Sequence, residues 1–129
     1  MTSRIAQWTL DVRDVERMAE FWSAVLGYRI DQGDDGSAKL YPPADAPAGT
    51  PTVWLQHAET PKRGKNRNHP DLNVTGDDPD REVERLLALG ARHVDVGQTE
   101  RDPFVVLADP EGNEFCVLRE PVRGGPETA

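Results

Sequence analysis

His69 and Asp71 are the pair of residues in this chain best suited to chemistry. They stand two apart in the run His69-Pro70-Asp71-Leu72-Asn73-Val74, and a strand places such residues on one face. A carboxylate beside an imidazole fixes its tautomer, which makes the pair a reasonable general base. The alternative is a half-built metal site, which Asp11 would complete. The run Gln7-Trp8-Thr9-Leu10-Asp11-Val12 lies 62 residues earlier and has a similar form, with Gln7, Thr9 and Asp11 on its polar face. Asn73 would share the face of His69 and Asp71. Such a collection either receives a ligand or forms a hydrogen-bond network that joins two halves of the protein. Buried carboxylates need partners, and paired strands provide them.

Other residues extend these two options. Cys116 lies between Phe115 and Val117 on an apolar stretch, so its thiol is an inert buried group or a ligand. Trp54 and Gln56 stand two apart and share a face. An indole near carboxylates suits a flat or cationic organic molecule, and Phe104 can line the same wall. The basic run Lys62-Arg63-Gly64-Lys65-Asn66-Arg67 is a solvated linker or a flap whose cations meet an anionic group at a pocket mouth. His57 and His93 read as surface positions. There is no Gly-x-Ser-x-Gly elbow, phosphate loop or dinucleotide fingerprint.

The elements that must position these groups come in two similar sets. The first set opens at Gln7 and closes its helix with Leu26-Gly27-Tyr28-Arg29; the second opens at His69 and closes with Leu89-Gly90-Ala91-Arg92. The offset is 62 residues at the strand and 63 at the Leu-Gly, the mark of a duplicated module. The residue pattern predicts strands over 5–12, 28–31, 37–41 and 52–57, with a helix from Asp14 whose stripe is Val15, Met18, Ala19, Trp22, Val25 and Leu26. In the second half it predicts strands over 69–74, 92–96, 104–108 and 114–119, and a helix opened by Asp78 and Pro79. Residues 42–51 are a proline-rich loop, and Asp109 to Asn113 is a tight turn.

A length of 129 residues bounds the chain at one domain with a core of its own. The net charge of −8 argues against nucleic acid as a partner. One cysteine allows no internal disulfide, and no apolar run suggests a signal peptide or a membrane span. The expected location is the cytoplasm, with no membrane partner.

These motifs resemble the vicinal oxygen chelate superfamily, which contains glyoxalase I, bleomycin- and fosfomycin-resistance proteins and extradiol dioxygenases. The resemblance covers about residues 5–119. It is carried by Val12-Arg13-Asp14, Ala19-Glu20-Phe21-Trp22, Leu26-Gly27-Tyr28, Lys65-Asn66-Arg67 before His69, Gly90-Ala91-Arg92 and Asp109-Pro110-Glu111-Gly112-Asn113-Glu114-Phe115. The last is the most specific, and the whole looks closest to the small glyoxalase-like branch. The resemblance implies an α+β fold of two tandem βαβββ modules, forming an open barrel-like cleft with helices outside. One domain spans 1–120, with module one at 4–58, a linker at 59–66, module two at 67–119 and a flexible tail at 121–129. Members of this length often form homodimers.

In metal-dependent relatives the first and last strands of each module supply four ligands. Carried over residue by residue, these positions fall on Gln7, Gln56, His69 and Cys116, with Leu55 competing with Gln56. None is a carboxylate, and neutral amides are poor ligands for a divalent ion. Two readings follow. The first is a glyoxalase-like protein that binds a small drug or metabolite in the cleft between the modules, without the four-ligand centre. It would use Gln7, Thr9, Asp11, Trp54, Gln56, Asn73 and Phe104. The second is a lyase, isomerase or dioxygenase-like enzyme with His69 and Asp71 as catalytic residues. Its metal would be Zn, Mn, Fe, Co or Ni.

Overall fold

In a computed structural model of the chain, residues 1–76 and 78–122 are described. They form two compact units, Met1–Arg63 and a second from Gly64 onward. Each unit has the order strand, helix, strand, strand, strand. The first contains β1 (Gln7–Val12), α1 (Val15–Leu26), β2 (Arg29–Gln32), β3 (Ala38–Tyr41) and β4 (Thr52–His57). The second contains β5 (Asp71–Leu72), α2 (Pro79–Leu89), β6 (Arg92–His93), β7 (Phe104–Ala108) and β8 (Glu114–Leu118). The sheets have orders β1-β4-β3-β2 and β5-β8-β7-β6, the first pair in each being parallel and the rest antiparallel. Both sheets are open. The fold is α+β with tandem βαβββ modules, as the sequence implies.

The registers repeat as closely as the sequence. Thr9 is the partner of Trp54, and Asp71 is the partner of Cys116; both pairs are 45 residues apart. A shift of 62 residues therefore superimposes one parallel pair on the other in register.

Local chemistry explains the helix limits. The Asp14 side chain accepts the Arg17 N–H at 3.1 Å, and Asp78 accepts from Asp80 and Arg81 at 3.0 and 3.4 Å. Pro79 stands in the first turn, where its missing N–H costs nothing. Gly27 ends α1 at φ 71°, in the left-handed region that glycine adopts freely. The α1 stripe of Met18, Ala19, Trp22 and Val25 is buried, and Phe21 joins it. Trp8 of β1 packs edge-on against Trp22 with centroids 5.0 Å apart, and Phe21 does the same from 5.2 Å. Leu86 of α2 is fully buried, as are Phe115 and Val117 on β8.

β1, β3 and β8 fall one or two residues short of the ranges that the residue pattern predicts, and two strands are shorter by more. β5 covers Asp71–Leu72 rather than 69–74. Pro70 has no N–H to give, and only its carbonyl reaches the ladder, accepting from Cys116 at 3.0 Å. β6 stops at His93 rather than Val96. There the Gln98 side chain takes up the Val96 N–H and the Val94 carbonyl, while Asp95 accepts from Gly97 at 2.8 Å. Side chains thus replace the ladder partners. Of the tail expected over 121–129, residues 123–129 lie outside the described residues. Val122 is pinned, its backbone exchanging two hydrogen bonds with the Asn73 amide at 2.6 and 2.8 Å. No helix among the described residues is long and apolar enough to cross a membrane.

Candidate functional site

The site begins with a turn. Asp109 is fully buried, and its carboxylate accepts the N–H groups of Glu111 and Asn113 at 2.9 Å each. The Asn113 amide adds contacts at 3.2 and 3.0 Å. Gly112 allows the reversal at φ 90°. This clamp sets the register of β7 on β8, Val106 opposite Cys116 and Phe104 opposite Leu118. With a period of two, Phe115 and Val117 enter the core, and Glu114, Cys116 and Leu118 share the other face.

That face carries a cavity of about 220 Å³. Phe104, Val106 and Leu118 form apolar walls, and Val96 comes in from the loop after β6. Its polar lining is Lys65, His69, Asp71, Glu114 and the Cys116 thiol. His69 Nδ1 lies 3.3 Å from the Asp71 carboxylate and 3.9 Å from Cys116 Sγ. The three groups can all place a ligand atom within 4.8 Å of one another. Burial pushes the Cys116 thiol up to about 11, and the Asp71 carboxylate beside it adds to the shift, with Lys65 acting weakly against it. The thiol is therefore protonated at neutral pH and is not an activated nucleophile.

A strap from the linker closes one side. The Asn66 N–H donates to Glu114 Oε2 at 3.3 Å, and Glu114 N–H donates to Asn66 Oδ1 at 3.3 Å. The Asn66 amide also reaches Asn113 at 3.4 Å. These bonds hold the backbone next to Lys65 against the β7–β8 turn.

The sequence-derived candidates divide between the units. His69, Asp71, Cys116 and Phe104 come together around the cavity. Asn73 follows β5, with its amide occupied by Val122. Gln7, Thr9, Asp11, Trp54 and Gln56 share one face of the first sheet, with Gln7 accepting from Thr52 at 3.0 Å and donating to Thr9 at 3.5 Å. Asp11 and Gln56 are register partners and both are exposed. The first-sheet position equivalent to Cys116 is Trp54, since each is the partner of the residue two after the module's opening position. Gln56 corresponds instead to Leu118. Gln7 and Gln56 are four residues out of register, roughly 13 Å along the strands.

Sequence reasoning missed Val96, Glu114, Val106 and Leu118 as pocket residues, and reached Lys65 only as one cation of the flap alternative. Strand parity from Cys116 points to Glu114 and Leu118, and parity from Phe104 points to Val106. The strap that brings Lys65 in leaves no periodic signal.

Comparison with known proteins adds the following. The family model described as a glyoxalase-like domain matches residues 7–118. The fold resembles the fosfomycin resistance protein FosX from Mesorhizobium loti at TM-score 0.70, with 20% identity over 95% of each chain. A FosX variant from Listeria monocytogenes, complexed with Mn(II) and 1S,2S-dihydroxypropylphosphonic acid, matches at TM-score 0.72, with 15% identity over 95% of this chain and 94% of that one. A glyoxalase/bleomycin resistance protein/dioxygenase family enzyme from Burkholderia phytofirmans matches at TM-score 0.66, with 18% identity over 89% of this chain and 97% of that one. No protein of curated function matches the sequence.

Proposed function

The chain belongs to the glyoxalase-like domain family of the vicinal oxygen chelate superfamily, and we propose that it binds a small organic molecule in the pocket of its second module, without a four-ligand metal centre. The observation that carries this reading is the pocket's composition. Three apolar side chains from adjacent strands face a few convergent polar groups, the usual make-up of a ligand site. The volume is below the roughly 300–1,000 Å³ common for drug-sized ligands, so the ligand is small. Apolar contact with Phe104 and Leu118 supplies affinity, and His69, oriented by Asp71, supplies direction. Bound carbonyl or hydroxyl groups would meet the imidazole, which can hold or release a proton there. The protonated Cys116 thiol is a weak donor at the floor.

The reading is tested by titrating the full chain with a set of small aromatic and branched aliphatic compounds, following the melting temperature and amide shifts. Binding by the native chain, weakened about tenfold or more in Phe104→Ala, supports it. An unchanged response in Phe104→Ala would sink it.

One observation favours a second reading. An imidazole, a carboxylate and a thiol within 4.8 Å are a donor set that fits a borderline ion such as Zn²⁺. His69, Asp71 and Cys116 would hold it, and the chemistry it would supply is polarisation of a ligand oxygen. The thiol would have to lose its proton, which its raised pKa resists. This makes the metal-dependent lyase, isomerase or dioxygenase-like activity the runner-up. Elemental analysis of protein soaked in Zn, Mn, Fe(II), Co and Ni and then desalted separates the two. About one ion per chain, lost in His69→Ala, selects the metal reading.

A further inference from the structure

We infer that the ligand of the second-module pocket is a small monocarboxylic acid with an apolar body, its carboxylate received by Lys65; this rests on the pocket reading above. Asp71 faces His69 Nδ1 at 3.3 Å. Glu114 is 7% exposed and accepts the Asn66 N–H at 3.3 Å. Each carboxylate thus already has a partner within the protein. Lys65, by contrast, lines the cavity and makes no ion pair among the described residues. His69 directs Nδ1 at Asp71 and Cys116, which leaves Nε2 as its remaining polar atom. The cation of the pocket without an ion-pair partner is thus the Lys65 ammonium. The ammonium suits an anionic oxygen.

The strap gives Lys65 its place. Three hydrogen bonds tie Asn66 to Asn113 and Glu114, so the neighbouring backbone is held while the Lys65 side chain stays exposed. Asn66 is in this sense a positioning residue. A lysine held this way loses less freedom on binding than one on a loose loop. The rest of the cavity is apolar, formed by Phe104, Val106 and Leu118, and has room for one ring or a short branched chain. A dianion would meet the nearby Asp71 and Glu114 charges, which limits the ligand to one negative group.

The test uses the full chain and three probes of one shape: phenylacetate, phenylacetamide and phenethylamine. Binding is followed by amide shifts in ¹H–¹⁵N spectra. The expected result is that phenylacetate binds at least tenfold more tightly than phenylacetamide. Lys65→Gln should remove that preference by weakening the acid far more than the amide. Arg67→Gln, an exposed charge in the same strap but outside the pocket lining, should keep it. Equal binding of acid and amide, preference for the amine, or an acid preference that survives Lys65→Gln would overturn the carboxylate assignment and leave the pocket reading standing. If no probe shifts the amides of Phe104, Cys116 or Leu118, both fall together.

Discussion

Removing the one thiol should flatten the alkaline stability profile. In the folded chain Cys116 titrates at about 11, against 9.0 for an ordinary thiol, because burial and then Asp71 penalise the thiolate. A group whose folded pKa is raised stabilises the fold fully below its unfolded pKa. That stability is lost as pH rises through the folded value. The window is therefore from about pH 9 to about pH 11. Two pKa units correspond to about 2.7 kcal/mol, of which about 2 kcal/mol is gone by pH 10.5. Cys116→Ala has no thiol to titrate. Urea unfolding of both proteins at pH 7.5 and 10.5 gives a difference of differences that cancels shared titrations, including that of Tyr28, whose hydroxyl burial also raises. The native chain should lose about 2 kcal/mol more than Cys116→Ala over this interval. Identical losses would refute the assignment of a buried, protonated thiol beside Asp71. An iodoacetamide reaction profile with its midpoint near 9 would refute it as well.

Other expectations follow from the same structure. Asp71→Asn removes the second cause of the shift, so the Cys116 thiol should titrate lower than in the native chain yet stay above an ordinary thiol, read from the pH dependence of alkylation. Asp109→Ala strips a fully buried carboxylate from three donors and should cost about 3 kcal/mol or more in urea unfolding, with strand β8 losing hydrogen-exchange protection first. Trp22→Ala opens a cavity against Trp8 and Phe21 and should cost about 3–5 kcal/mol, measured the same way. Any Zn²⁺ affinity should rise between pH 6 and 9, since the thiol must release its proton, and should fall sharply in Cys116→Ser; calorimetric titration reads both.

The sequence was legible where local rules dominate. Asp14, Gly27, Asp78 and Pro79 mark the helix limits that the structure has, because caps act within a few residues. Strands 52–57 and 104–108 lie where alternation puts them. The strands that shortened did so for non-periodic reasons, the missing N–H of Pro70 and the side-chain bonds of Gln98 and Asp95. The candidate site was half legible. His69, Asp71, Cys116 and Phe104 follow from spacing, and the structure gathers them. Lys65 enters through the Asn66 strap, a contact across 48 residues that no spacing announces. Glu114 was readable from parity with Cys116. The first-module position matching Cys116 depends on register, and register shows only when the strands are paired.

The central claim is that the second-module pocket is the place where this protein meets its ligand. The most direct measurement is a screen of small organic fragments against the full ¹⁵N-labelled chain, with every responding amide mapped. The expected hits have shifts that cluster on Lys65, His69, Phe104, Cys116 and Leu118 and weaken in Phe104→Ala. Hits that cluster elsewhere, or a screen in which these five residues never respond, would contradict it.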